Sequence, residues 1–384
     1  MSQLLNDANN GNAKFFLQFG GQGAPWLKEL SQYKQNPEFN KFFETVFNGF
    51  IEVHPHIKDS VAYNTSLDFP KWVEDPTTAP DDLILSSAGI SLFAITVTQF
   101  AHYENLQIKG FDRSQMLKNS LGATGHSQGL IAASFAALQL EGEEYYTALK
   151  KYVQYMLYMG ARAQEAFPYL QATNTDVTAS ETLASKDPAP MVAVLGESHS
   201  IIEKIVADVN ETLDDNKKIY VSLYNTPDNR ILSSFRSSLI KFNEKVKPLI
   251  EEKKLKFVYL RSSCPFHSKL MQPICEPFEK DIETLGFNYK GSDLKMPVYS
   301  FTDGRDIRSD EYIGISMYKD LMIENLYWDK SMQAVVNEKN VTHILDFGPG
   351  KTSQRLSQAA LKALDSQLPV LAVATPKDLK AVLS

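Results

Sequence analysis

Cysteine is nearly absent: the 384 residues contain two, Cys264 and Cys275, with no CxxC pair and no Cys/His set at zinc spacing. A disulfide framework and a zinc site of the familiar patterns are therefore excluded. No apolar run approaches the roughly 18 residues that cross a bilayer. The first thirteen residues are polar and rich in Asn, without the basic-then-apolar order of an export signal, and read as a frayed tail. These absences point to a soluble protein of the reducing cytoplasm with no membrane partner. An excess of positive charge is missing too: 46 acidic groups face 39 basic ones, for a net charge of −7, which argues against nucleic acid as a partner. Two nucleotide motifs start and fail. Gly21-Gln22-Gly23 has Trp26 where a dinucleotide fingerprint needs its third glycine, and Gly350-Lys351-Thr352 has Leu345 where a phosphate loop needs its first. No bound cofactor is expected.

What is present is the composition of an ordinary globular chain, 43% hydrophobic, 22% charged and 11% aromatic. Residues 14–19 read as a buried strand ending in a glycine turn, 84–102 as a helix, 121–138 as strand, glycine turn and Ala-rich helix, and 141–166 as a long amphipathic helix. This alternation favours a parallel α/β sheet. Residues 171–190, with two prolines and no aromatics, read as a linker or surface loop. After it comes strand 191–195, helix 201–213, strands 219–224 and 230–233, helix 238–250 and strand 255–262, a βαββαβ order typical of a ferredoxin-like unit. The α/β pattern resumes with strands at 297–301 and 343–347. The expected fold is a large α/β-hydrolase-like subdomain in two parts, 14–190 and 264–384, interrupted by a small ferredoxin-like subdomain over 191–263.

Gly125-His126-Ser127-Gln128-Gly129 fits G-x-S-x-G, which seats a serine on a strained turn between strand and helix. The N-terminus of the following helix favours an oxyanion beside that serine. A serine hydroxyl needs a base. Of seven histidines, His126 adjoins the serine and points away, His54 and His56 lie in a polar stretch, and His102 and His199 sit on helical segments with nothing around them. His267, in a loop after a strand, and His343, opening a late strand, are the two candidates that spacing leaves.

In this order and at these separations, Gly21-Gln22-Gly23, the Ser127 pentapeptide, Pro265-Phe266-His267-Ser268 and Gly348-Pro349-Gly350 resemble the acyl-CoA:carrier-protein acyltransferase family. The chain is most similar to the acetyltransferase domain of fungal-type fatty acid synthases and related starter-unit transacylases, from about residue 15 to about residue 376. The resemblance implies that Ser127 is the acyl-accepting nucleophile and His267 its base. It implies an oxyanion hole made by the main-chain N–H groups of Gln22 and Gln128, and a main-chain carbonyl within 321–325 that orients the histidine. Asn225 matches a family asparagine near the site, although Ser234 replaces a usual glycine.

One departure bears on substrate. Malonyl-specific members carry an arginine where this chain has Met159, and a thioether cannot pair with a carboxylate, so a neutral acyl group, acetyl or another starter, is expected. Arg162 lies three residues on and, with Phe266, joins the expected substrate-binding set; Met159→Arg is expected to gain malonyl loading. The implied mechanism is ping-pong transfer from acyl-CoA to the phosphopantetheine thiol of an acyl carrier protein supplied in trans, with hydrolytic release of acyl groups from the carrier by the same serine and histidine as the alternative. An acidic carrier would need a local positive rim, for which Arg261, Lys269, Lys351 and Arg355 are the candidates.

Overall fold

The computed structural model describes residues 2–63, 67–374 and 376–383. Its centre is a five-stranded parallel sheet in which β1 (Phe15–Phe19), β2 (Ser120–Gly125), β7 (Val298–Tyr299), β9 (His343–Asp346) and β10 (Val370–Ala372) take the order β10-β9-β1-β2-β7. β1 is buried at all five residues, as a central parallel strand covered on both faces must be, and this explains why four of the five are apolar. Its one polar residue, Gln18, is satisfied internally: Nε2 donates to Asp346 Oδ1 at 3.0 Å and Oε1 accepts from Ser357 Oγ at 2.6 Å. The helix Ala88–Ile108 is buried along nearly its whole length and serves as a core element rather than a surface one. It packs on the helix Gly142–Ala166, where a Cβ on Gly160 would come within 2.6 Å of the Ala88 carbonyl.

The second sheet contains β3 (Met191–Leu195), β4 (Tyr220–Thr226), β5 (Asn229–Ser233) and β6 (Lys256–Tyr259) in the antiparallel order β6-β3-β5-β4. With the helices His199–Asn210 and Arg236–Glu251 it makes the ferredoxin-like unit and its own apolar core, in which Val192, Ile202, Leu232 and Phe242 are fully buried. A fifth strand, β8 (Leu326–Tyr327), comes from the later part of the chain and pairs with β4 in parallel. The two sheets are thus stitched together by β8 as well as by the two crossings of the chain.

Three expectations need correcting. Residues 171–190 are not a plain loop: they contain the helix Asn174–Thr182, started by a capping box between Thr173 and Asp176. Its face is polar, with Ser180 its one buried residue, so no apolar periodicity announced it. The N-terminal segment is not frayed either; Ser2 caps the helix Gln3–Asn9, which seats Leu5 and Ala8, one turn apart, in the core. Nor is His102 isolated. It is buried, its Nδ1 lies 2.8 Å from the Phe347 carbonyl, and its Nε2 lies 2.9 Å from Glu29 Oε2.

Candidate active site

β2 runs into the helix Gly129–Leu138 through a turn with no spare room. A Cβ on Gly125 would lie 1.9 Å from the Gly129 carbonyl carbon, and one on Gly129 would lie 2.3 Å from the Phe19 carbonyl oxygen. Only glycine fits at either place, and between them Ser127 takes a left-handed φ of 54°. This lifts its hydroxyl off the strand end toward the loop that carries His267, itself at φ 56°. Ser127 Oγ and His267 Nε2 are 2.8 Å apart, and His267 Nδ1 is 3.0 Å from the main-chain carbonyl of Glu324. A carbonyl can only accept, so Nδ1 carries the proton and Nε2 presents a lone pair to the serine hydroxyl. The imidazole is buried against Phe301, and burial, partly offset by the Glu324 carbonyl, pushes its pKa down to about 4. It is therefore a neutral base at pH 7.

Gln22 stands in the turn after β1 and Gln128 directly after the serine. Both side chains point away toward the helix Ala88–Ile108: Gln22 Nε2 donates to Ser91 Oγ, and Gln128 Nε2 donates to the Leu92 carbonyl at 3.4 Å. What they offer near Ser127 is main chain. The Gly20 end of that turn is pinned by Gln99, whose Nε2 donates to the carbonyls of Gly20 at 2.6 Å and Gly348 at 2.9 Å. Gln99 is wholly buried and had no signal in the sequence beyond its place on an apolar helix.

The small sheet closes the site from the other side. Asn225, on β4, accepts from His126 Nε2 at 2.8 Å, and the His126 ring packs edge-on against Trp328. His126 does point away from the serine, but into a contact that ties the small sheet to the serine turn. Between the two sheets lies a cavity of about 370 Å³ lined by Ser127, His267, Gln22, Asn225 and Phe266, with Arg261, Thr352 and Leu356 among its other walls.

Two expected substrate contacts are absent from that lining. Met159 is fully buried among core side chains. Arg162 makes a two-point pair with Asp281, at 2.7 and 3.1 Å, and a further bond to Glu165 at 2.8 Å. These pairs engage all three of its nitrogens, and it holds helix to helix; it is not among the residues that line the cavity. An arginine at 159 would accordingly be a charge in the core, and the expected gain of malonyl loading is withdrawn. Among the rim candidates, Arg261 lines the cavity and pairs with Asp82 at 3.1 Å, whereas Lys269 and Arg355 are exposed. Lys351 is half-buried beside Thr352.

Comparison with known proteins gives the family and the fold. Residues 17–267 match the family described as "Starter unit:ACP transacylase in aflatoxin biosynthesis". The chain is 28% identical over 380 residues to the fatty acid synthase subunit beta of Saccharomyces cerevisiae and 26% identical over 371 residues to that of Schizosaccharomyces pombe, in each case over 92% of this chain. It spans only 18% and 17% of those proteins' own lengths. Among solved structures, a malonyl transacylase (MCAT) of Streptococcus pneumoniae superimposes with a TM-score of 0.66 at 20% identity, covering 96% of this chain and 99% of that one. The malonyl-transacylase of a type II PKS acyl-carrier protein complex, PlMCAT:AntF, gives 0.66 at 18% identity, covering 97% and 99%.

Proposed function

The chain belongs to the family of starter unit:ACP transacylases, and from that premise we propose that it moves a neutral acyl group from coenzyme A to the thiol of an acyl carrier protein through an ester on Ser127. The observation that carries this reading is the relay from Ser127 Oγ to His267 Nε2 to the Glu324 carbonyl, at 2.8 and 3.0 Å, opening into a cavity at the seam of the two sheets. His267 takes the serine proton as Oγ attacks the thioester carbonyl. The developing oxyanion is received by the N–H groups of Gln22 and Gln128, which a turn and a helix start fix in place. Coenzyme A leaves with the proton returned by His267, and the carrier thiol repeats the steps in reverse.

A neutral acyl group follows from the charges on the lining. Among the described residues lining the cavity, Arg261 is the one permanent cation, and Asp82 already pairs with it. His126 and His267 both have pKa values lowered by burial. A malonyl carboxylate would find Arg261 already engaged by Asp82 and no second cation beside it. For the carrier, the exposed Lys269 and Arg355, close in sequence to the lining residues His267 and Leu356, are the candidates for the positive face that an acidic partner needs. Incubation with acetyl-CoA, malonyl-CoA and an acyl carrier protein, followed by intact mass of both proteins, tests the proposal. Acetyl on Ser127 and then on the carrier is expected; ready malonyl loading refutes the neutral-acyl reading, and free acid in place of acyl carrier makes the protein a hydrolase.

A further inference from the structure

His267 keeps one tautomer only while an acceptor stays fixed at Nδ1, and the Glu324 carbonyl that serves there lies in irregular chain between the helix Ile313–Met322 and β8. Its direction is inherited from the last turn of that helix. The N–H groups of Ile323 and Glu324 both donate to the Lys319 carbonyl, at 3.0 and 3.1 Å. The Met322 carbonyl accepts from the N–H of Ser268, next to His267, at 3.1 Å. The Asp320 carbonyl, in the same turn, is a second main-chain acceptor facing the imidazole.

The Asp320 side chain anchors this turn. It is 5% exposed, and its carboxylate is bonded away from the histidine: Oδ2 accepts from Ser300 Oγ at 2.7 Å and from Arg305 Nη2 at 3.1 Å. Both partners belong to the turn that follows β7, the edge strand of the parallel sheet. That turn is closed by its own main chain, with the Ser300 N–H on the Arg305 carbonyl at 2.9 Å and the Gly304 N–H on the Ser300 carbonyl at 3.0 Å. Within it, Phe301 packs edge-on against the His267 ring, centroids 5.4 Å apart, and its carbonyl accepts from the Tyr327 N–H at 2.8 Å. One turn thus touches the imidazole directly and holds the acceptor of its proton through Asp320. A well-packed apolar side chain at 320 would cost less to bury than a paired carboxylate, but it could not fix a direction as two donors on one oxygen do.

We propose that Asp320 is a positioning residue for acyl transfer: tied to Ser300 and Arg305, its carboxylate aims the Glu324 carbonyl and so keeps His267 protonated at Nδ1 and bare at Nε2 toward Ser127. This inference rests on the acyltransferase reading above. Neither Asp320, Ser300, Arg305 nor Glu324 lines the cavity of Ser127, so the loss of this anchor acts on the proton-transfer step and leaves substrate binding alone.

The test uses the full chain and two readouts: kcat and KM for Ser127 ester formation from acetyl-CoA, and the ring ¹⁵N resonances of His267, identified by their loss in His267→Gln. Asp320→Ala is expected to lower kcat by about thirtyfold with KM held within about twofold, and to let the His267 proton divide between Nδ1 and Nε2. Asp320→Asn, which keeps an acceptor for Ser300 and gives up the charge pair with Arg305, is expected to lose only about threefold in kcat. In a folded Asp320→Ala, an unchanged kcat, a loss carried by KM, or a fall in kcat with the proton still wholly on Nδ1 overturns the inference. Should circular dichroism show that variant unfolded, Ser300→Ala, which removes one donor, replaces it, and unchanged kcat and tautomer there overturn the inference equally. Absence of a Ser127 ester with any acyl-CoA refutes instead the acyltransferase reading, while the nitrogen spectra still report the hold of Asp320 on His267.

Discussion

Lowering the pH separates a base tuned by burial from an ordinary surface histidine. His267 is buried, and desolvation of its charged form pushes its pKa from the ordinary 6.5 to about 4, the Glu324 carbonyl recovering only part of the loss. The difference makes protonation of the folded site cost about 3 kcal/mol more than protonation of a free imidazole. At pH 5.5 a histidine with the ordinary value would be neutral in only about a tenth of molecules, whereas His267 would remain almost wholly neutral. The expected kcat/KM for loading Ser127 from an acyl-CoA, read by quench and intact mass, is therefore level from pH 7.5 to about 5 and falls below it, the free enzyme's base setting that limb. Stability moves with the same titration. The unfolded chain binds the proton below about 6.5 and the folded chain only below about 4, so His267's contribution is complete above pH 6.5 and is lost as the pH falls through that window. Thermal melts across pH 4 to 7 should show a decline that His267→Gln flattens. A loading profile that halves near pH 6.5 while the protein remains folded would refute the assignment of a dry, carbonyl-oriented base.

Ser127→Ala and His267→Ala should each cut acyl loading by at least about a thousandfold, measured by single turnover, since serine and base act as one unit. Gly125→Ala should leave little folded protein at 37 °C, because a Cβ 1.9 Å from the Gly129 carbonyl carbon forces a backbone shift costing about 3 kcal/mol or more; soluble yield and melting temperature check this. Asn225→Ala leaves His126 Nε2 buried without its acceptor, and about 1–3 kcal/mol of stability should be lost by urea titration. Gln99→Met keeps shape but removes the donor shared by the Gly20 and Gly348 carbonyls, and should lower kcat by about tenfold at little change in KM, as expected when only the oxyanion turn is loosened.

The class of fold and the serine turn were legible because they are local. The apolar run of β1, the glycines at 125 and 129 and the βαββαβ order all leave their mark within a few tens of residues, and the structure repeats them within a residue or two at most boundaries. Illegible features were those whose cause lies elsewhere in the chain. The carbonyl that orients His267 belongs to Glu324, inside the segment 321–325 that the family resemblance implied; the residue itself was not legible, because any residue type serves where the interaction is with main chain. The pairing of Arg162 with Asp281 spans 119 positions and no spacing rule predicts it, so an arginine near a resembling motif read as a ligand when it is a strut. Helix Asn174–Thr182 was missed for the opposite reason: its polar face gives no 3.6-residue apolar signal, and its capping box was the one clue.

The choice of a carbonyl at Nδ1 has a chemical consequence. A carboxylate there would favour the imidazolium and raise the base's pKa, at the expense of burying a charge in the seam between two sheets. The Glu324 carbonyl fixes the same tautomer while leaving the resting site uncharged, and so gives a weaker base. For a thioester that is sufficient: the acyl group is already activated and the leaving thiol holds its proton weakly, so the step asks more of oxyanion stabilisation than of proton abstraction. On the proposed mechanism, the weight of catalysis then falls on the Gln22 and Gln128 main chain. It is there that the structure concentrates its constraints, with the Gly20 carbonyl held by Gln99, Gly129 pressed against Phe19 and Gly20, and both glutamine side chains tied to one buried helix.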